Sequence, residues 1–443
     1  MKTLIENLVV QLKRFTSLEK RKILANIGWL ASERLFRMGI GFLTLAWTAR
    51  FLGVEQFGTL NFAIAFVGLF SPLLQLASDQ IIFRDLVNSP QEKESILGSS
   101  LLVKFGSGLL VFILASVSAF VLKGEDALTL PLVVILSTAS LVNSFNIIDL
   151  WFQSQVAAKN SVIAKNCAFF AATALRILAL QMGAPIEYFA WLLVLESLFN
   201  VIGLLVVFRL TGNYIFRWRF DWIFSKGLMK VSFPLIFSTL AIVVYMKIDQ
   251  VMLGQMAGPE SVGIYSAAVR LSEIWPFAST MLVRSLAPSI ISAKKISNDS
   301  YYAKLQKLCN LQAILVYAIA LPMTFLSTPF VVLVFGSDYT AAGPVLAIHI
   351  WSSMFLFLGY VKEIWITTEE LTWFSFAFTI SGAIMNVILN FIFIPRYAEV
   401  GAAVATIISY AFADYVMCFM YPPARKFGAI MTRAMTFNLI RVS

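Results

Sequence analysis

Charge is what this chain has least of. Asp, Glu, Lys and Arg together make up 13% of its 443 residues, against the roughly one-quarter found in soluble domains. Cysteine is scarce as well: Cys167, Cys309 and Cys418 lie in or beside apolar stretches with no paired spacing. That excludes a disulfide framework, and the three read as small buried hydrophobes. The single histidine, His349, falls inside an apolar block and reads as a satisfied interior residue. With no His/Cys/carboxylate cluster at ligand spacing, neither a metal site nor a cofactor is expected. A Walker-type glycine-rich phosphate loop is also missing, which excludes ATP hydrolysis by the chain itself. No connection is longer than about twenty residues, too short for a loop to fold as a catalytic domain.

What is there is apolar surface. Hydrophobic residues make up 59% of the chain, and mean hydropathy is +0.82. They come in blocks of about 20 or more, the length that spans a bilayer as a helix. Such runs lie near 25–51, 57–83, 97–122, 127–156, 161–182, 185–210, 229–256, 261–290, 303–333, 340–367, 370–396 and 399–423. The expected fold class is all-α and integral to the membrane, with about twelve transmembrane helices. Residues 1–24 mix apolar and basic positions and read as a cytoplasmic lead-in at the membrane surface, not a cleaved signal.

The basic residues are unevenly placed. With the N-terminus in the cytoplasm, about 23 Lys and Arg fall on the cytoplasmic side and only Arg50, Lys123 and Arg396 on the other. This is the bias of the positive-inside rule. Both termini are then cytoplasmic, and the net charge of +10 reports topology, so no nucleic-acid partner is expected. The largest basic loop, Arg209 to Lys230, divides the chain. Two six-helix halves, 25–210 and 229–424, are joined by a linker at 211–228 and followed by a basic tail at 425–443. The halves look duplicated: GVEQFG at 53–58 and GPESVG at 258–263 both read G-x-E-x-x-G at the same point in each half. Six helices per half give the two the same orientation, a parallel repeat.

Charges at bilayer depth cost about 2.5–3.5 kcal/mol on insertion scales and usually face protein or water. Helical spacing gathers several here. Arg34 and Arg37 share a face of helix 1 with Gly41, Thr44 and Thr48, beside Glu33. Asn61, Gly68, Pro72, Gln75 and Asp79 line helix 2. In helix 7, Tyr245 and Asp249 share a face with Lys247 roughly opposite; helix 8 carries Ser266, Arg270, Glu273, Thr280 and Arg284. Helix 11 adds Ser375, Thr379, Gly382, Asn386 and Asn390. Pro72, Pro234 and Pro276 should bend helices 2, 7 and 8. Stripes from both halves point to one aqueous cavity between them, with an excess of cations. A plainer reading stands beside this one: Glu33 with Arg37, and Arg270 with Glu273, have the spacing of structural pairs. Asn386 and Asn390 equally suit helix packing.

Several segments resemble one family. They are RFLGVEQFGTLNFA (50–63), SFPL (232–235), IDQVMLG (248–254), GIYSAAVRL (263–271), FGSDY (335–339) and VGAAVAT (400–406). In this order they are similar to the Wzx-type oligosaccharide flippases of the multidrug/oligosaccharidyl-lipid/polysaccharide exporter superfamily. The resemblance covers residues 25 to 425. It implies two six-helix lobes related by a pseudo-two-fold axis along the membrane normal, a central cationic cavity, and a bacterial inner-membrane location. It also implies export of undecaprenyl-diphosphate-linked oligosaccharide to the periplasmic leaflet by alternating access, for O-antigen-like surface polysaccharide. Arginine suits phosphate oxygens, so Arg34, Arg37, Arg270 and Lys247 become the expected substrate-binding residues. Glu33, Asp79, Asp249 and Glu273 are expected to pair with them or to couple a proton or sodium ion. Asn61, Gln75, Asn386 and Asn390 are expected as polar lining. The expected partners are the polyprenyl-diphosphate glycolipid, the lipid bilayer, an H+ or Na+ counter-ion and a polysaccharide polymerase. The rival readings are a cation-coupled multidrug or metabolite exporter, a lipid II flippase and, last, a membrane polymerase or ligase.

Overall fold

The computed structural model describes residues 17–123 and 128–436, with side chains from Arg37 onward except at Lys123, Ala158 and Thr372. The side chains of Glu33 and Arg34, most of the basic lead-in and the end of the tail lie outside the described residues. The chain divides into a unit ending at Thr48 and a second running from Ala49; Arg37 belongs to the first.

Among the described residues, ten helical stretches are long and apolar enough to cross a membrane, and none forms a strand. Two of the ten are far longer than a bilayer needs: Arg37–Asn88 has 52 residues and Trp373–Met420 has 48. At about 1.5 Å per residue, either would exceed twice the roughly 30 Å of hydrocarbon if straight. Neither is straight. The first helix, α1 (Ser17–Gly68), breaks at Gly53, then gives way to a 3-10 segment, Ser71–Ala77, and to α2 (Asp79–Asn88). Each of the two stretches therefore contains two of the twelve apolar runs.

The rest of the first half is α3 (Lys93–Lys123), α4 (Thr129–Val142), α5 (Ile147–Ser154), α6 (Ala158–Gln181) and α7 (Ile186–Leu210). The second half begins with α8 (Trp222–Met256), α9 (Pro259–Ser272), α10 (Pro276–Lys294) and α11 (Asn298–Phe335). It continues with α12 (Ala342–His349), α13 (Ser352–Thr368) and α14 (Thr372–Tyr410). Then come a π-helical turn at Ala411–Val416, the short α15 (Met417–Met420) and α16 (Arg425–Met435). Helix α14 breaks at Ala398.

Some expectations need correcting. The helix-2 stripe from Asn61 to Asp79 does not lie on one α-helix, because the backbone tightens to 3-10 through Pro72, which has no N–H to donate. The expected helix 8 is two helices separated by a turn at 273–275 ahead of Pro276, whereas α8 runs on through Pro234. The linker is shorter than expected: α8 starts at Trp222, where the Asp221 side chain accepts from the Phe224 N–H at 3.1 Å. The basic tail begins as the amphipathic α16, with Phe427, Gly428, Ile430, Met431 and Ala434 buried.

The two G-x-E-x-x-G motifs meet. Gly53 and Gly258 hold φ of 70° and 91° with ψ near 175°, a region essentially reserved for glycine. Each turn starts a new helix, and the two helices pack backbone to backbone. A Cβ on Gly58 would overlap the carbonyl of Pro259, and one on Gly263 would overlap the carbonyl of Val54. Beside this crossing, Arg50 donates from Nε to the Val334 carbonyl at 2.9 Å and from Nη2 to that of Leu333, at the C-terminal end of α11. Tyr339 donates to the Ala49 carbonyl at 2.9 Å. First-half residues 49–58 thus hold the second half at the end opposite the basic loops.

Among the described residues, several intramembrane charges are paired. Lys104 bonds Asp79, Lys165 lies 2.6 Å from Asp149, and Arg176 lies 3.7 Å from Glu196. Lys362, 2% exposed, lies 2.7 Å from Asp414, which the π-turn carries. Gly359 leaves room for that carboxylate, since a Cβ there would come within 2.9 Å of Oδ1. Losing one partner strands the other in a medium that cannot solvate it.

Two outcomes follow. In a background without the native cysteines, Thr59→Cys should be shielded from an impermeant maleimide, and adding Gly263→Val should speed labelling several-fold. Equal rates would mean that the crossing does not seal this end. Lys362→Met should lower stability by roughly 3–5 kcal/mol, and the double change with Asp414→Leu should recover most of it. Thermal unfolding in detergent measures both.

Candidate functional site

Three helices converge on Asp249. Helix α8 carries the residue itself, α9 brings Tyr265, and α14 contributes from both sides of its break: Asn386 and Asn390 before Ala398, Thr406 and Tyr410 after it. Asp249 is 4% exposed. Its carboxylate accepts from Tyr265 Oη at 2.7 Å, from Thr406 Oγ1 at 2.7 Å and from Asn390 Nδ2 at 2.6 Å. The same Asn390 amide donates to Asn386 Oδ1 at 3.1 Å.

All three donors are neutral. Among the described residues no Lys or Arg comes within ion-pair distance of Asp249, unlike the paired carboxylates above. The Asn390 carbonyl oxygen, the Asn386 amide nitrogen and the hydroxyl of nearby Tyr245 are buried without a partner. The cluster therefore offers a carboxylate that no cation neutralises within ion-pair distance, with oxygens to spare. A buried carboxylate of this kind is neutralised by a proton or by a small hard cation, which takes carboxylate, amide and hydroxyl oxygens as ligands. Among the described residues no three His, Cys, Asp or Glu side chains converge.

Asp249 borders a cavity of about 520 Å³. Its charged lining is Lys247, Asp249, Glu273, Lys362, Glu363 and Asp414, with Tyr245, Tyr360, Tyr410 and Phe378 as aromatic walls. The Tyr245 and Tyr410 rings pack tilted at 35° with centres 4.6 Å apart, and Lys362 lies 4.4 Å from the Phe378 ring centre. Glu363 accepts from Ser375 at 3.0 Å. Every lining residue comes from the second half, so this is a different space from the expected cavity between halves. Two lysines face four acids, and the expected cationic excess does not hold here.

The expected site residues scatter in an informative way. Lys247, predicted roughly opposite Asp249, also reaches the cavity, because a four-carbon stem can turn its ammonium toward polar space. The charges that act on it are Glu273, Arg270 and Asp249. Arg270 and Glu273, spaced as a structural pair, form no ion pair, and only Glu273 lines the cavity. Asn386 and Asn390 serve Asp249. Asn61 instead donates to the Phe57 carbonyl of its own helix at 2.8 Å, and Asp79 is taken by Lys104. Gln75 sits on the 3-10 segment, away from this lining. His349 does line the cavity, with Nδ1 2.8 Å from Ser272 Oγ.

Sequence reasoning missed Tyr265, Thr406 and the Lys362–Asp414 pair as parts of the site. A signal existed: Asp249, Tyr265 and Thr406 each fall in a different short motif, 248–254, 263–271 and 400–406. Those three motifs converge on one carboxylate.

Residues 23–292 match a family described as polysaccharide biosynthesis protein. No curated protein sequence matches the chain. Among solved structures, an inward-facing multidrug resistance MATE family transporter of the MOP superfamily aligns at TM-score 0.72 with 14% identity, covering 89% of this chain and 96% of that one. The lipid II flippase MurJ in an inward closed conformation aligns at 0.69 with 15% identity, covering 93% of each chain. An outward-facing MATE family transporter aligns at 0.54 with 14% identity, over 92% of this chain and 95% of that one. The fold is thus the one these transporters share, and with more than half of its length matched, the chain belongs to the polysaccharide biosynthesis protein family.

Proposed function

We propose that the protein flips a polyprenyl-diphosphate-linked oligosaccharide from the cytoplasmic to the periplasmic leaflet of the bacterial inner membrane by alternating access. A polysaccharide polymerase would consume the product. The observation that carries this reading is the contrast between paired and unpaired charges. Lys104, Lys165, Arg176 and Lys362 each have an acidic partner, so their role is structural. Among the described residues Lys247, Arg270 and Glu273 form no ion pair, and the charges of Glu273, Arg270 and Asp249 act on Lys247. Unpaired charges at membrane depth mark transport paths.

In this reading Arg270 and Lys247 hold the diphosphate or acidic sugars; Arg34 and Arg37 are substrate-binding residues on the strength of the sequence alone. Asp249 takes up the driving proton or sodium ion, assisted by Asn386, Asn390, Tyr265 and Thr406. A cation there would change the charge balance around Lys247 and so bias which end of the molecule is open. The higher TM-scores to the inward-facing transporter and to inward closed MurJ than to the outward-facing one favour reading the motif crossing as the closed outer gate.

A second reading has its own support. The cavity's four acids, two lysines and aromatic walls also suit a small organic cation, as a cation-coupled exporter would carry.

Arg270→Ala or Arg34→Ala should abolish surface polysaccharide while the protein remains in the membrane. Full export in both variants would remove these residues from the substrate site. Asp249→Asn, which keeps the shape and removes the charge, should eliminate the dependence of transport on the ion gradient in proteoliposomes. An unchanged gradient dependence would take the coupling role from Asp249. Resistance to cationic compounds with unaltered surface polysaccharide would favour the exporter.

A further inference from the structure

The linker between α7 and α8 is packed on one side and bare on the other. It is pinned to the first half. The Arg219 N–H donates to the Glu94 carbonyl at 3.0 Å, and the Asp221 N–H donates to Ser99 Oγ at 2.8 Å. Lys93 Nζ donates to Asn213 Oδ1 at 2.7 Å. Trp218 packs edge-on to Phe208, ring centres 5.8 Å apart, and with Ile215 joins a buried apolar cluster that includes Ile82, Trp151 and Leu228. Gly98 lets the Arg219 backbone come so close that a Cβ would overlap its carbonyl.

The opposite side presents what a soluble surface avoids. Phe216 is fully exposed, and Phe220, Trp222 and Ile223 are 51%, 64% and 83% exposed. Interleaved with them stand the exposed cations Arg209, Arg217 and Arg219, followed by Lys226. The segment joins two membrane-crossing helices, Ile186–Leu210 and Trp222–Met256, so it lies at a bilayer boundary. Aromatic rings at headgroup depth with arginines between them match an anionic lipid surface in both polarity and charge.

Within this patch two arginines converge on one ring. The guanidinium carbon of Arg209 lies 3.9 Å from the centre of the Tyr214 ring, and that of Arg217 lies 5.0 Å from it. Arg209 first, and Arg217 with it, hold the phenol below its usual pKa. A guanidinium lying over a ring still has N–H groups to offer a phosphate, in the fork geometry that lysine lacks. Asp221 is the nearest acid in the segment, and its carboxylate is engaged at the start of α8.

We propose that the Arg209–Tyr214–Arg217 cluster binds the phosphate of an anionic phospholipid headgroup, while Phe216, Phe220 and Trp222 seat the linker in the bilayer surface. The bound lipid braces the segment that leads directly into α8, the helix that carries Lys247 and Asp249. The site is independent of the cargo and of the ion site.

Binding of phosphatidylglycerol to the full-length protein in detergent, followed by native mass spectrometry, tests this. Arg209→Gln/Arg217→Gln should weaken the lipid adduct about tenfold. Arg209→Lys/Arg217→Lys should lose most of the binding too, although it keeps the charge. Lys295→Gln/Lys307→Gln, the same loss of charge at exposed positions elsewhere, should bind as the parent does. Equal weakening by this control, or no change in the arginine variants, would overturn the site. So would equal binding of phosphatidylcholine, which has no net charge, or full displacement of the lipid by equimolar inorganic pyrophosphate, which would identify a bare diphosphate ligand instead.

Discussion

A charge inside a bilayer has no water to solvate it, and that constraint organises most of this protein. A charge there must either find an opposite charge on a neighbouring helix or stand where something mobile can neutralise it. Lys362 and Asp414 follow the first course, joined at 2.7 Å with the π-turn and Gly359 shaped around them. Asp249 follows the second, at the edge of the cavity. Three neutral donors hold it and leave its charge uncancelled. Desolvating a carboxylate is costly enough that such an arrangement is readily read as a place for a proton or cation.

The backbone breaks serve that centre. Helix α14 runs past Asp249 twice, with Asn390 below the break at Ala398 and Thr406 above it. An unbroken helix would carry Thr406 about 24 Å beyond Asn390 at 1.5 Å per residue. Both could not then touch one carboxylate. The glycine turns act likewise at the far end. Gly53 and Gly258 start helices whose own glycines, Gly58 and Gly263, pack with no side chain between them. The two copies of G-x-E-x-x-G thus pack against each other, which explains why glycine stands at both places. Arg50, a rare cation on that side, is used by the carbonyls of Leu333 and Val334 at a helix end, where a positive charge is favourable.

Much of this was legible from the chain alone. Hydropathy located the apolar runs, because a membrane helix needs only length and low polarity, both local properties. The breaks at Gly53 and Ala398 fall in the gaps between adjacent runs. Helical spacing put Tyr245 with Asp249 and Asn386 with Asn390, as the structure does. It failed from Asn61 to Asp79, because periodicity presumes an unbroken α-helix and Pro72 ends one. It could pair charges only within one helix, since spacing sees no partner on another. Lys165 and Asp149, or Lys362 and Asp414, pair across helices.

The sequence by itself determined the membrane class, the approximate spans, the asymmetry of basic loops and the repeated G-x-E-x-x-G. Each is carried by neighbouring residues, through composition or a short period. Only the tertiary structure decided which charges cancel, that the two motifs touch, and that Asp249 meets Asn390 and Thr406 from 141 and 157 residues away. Those outcomes depend on how helices pack, and packing is settled by the shapes of all the facing side chains together, not by any one stretch of chain.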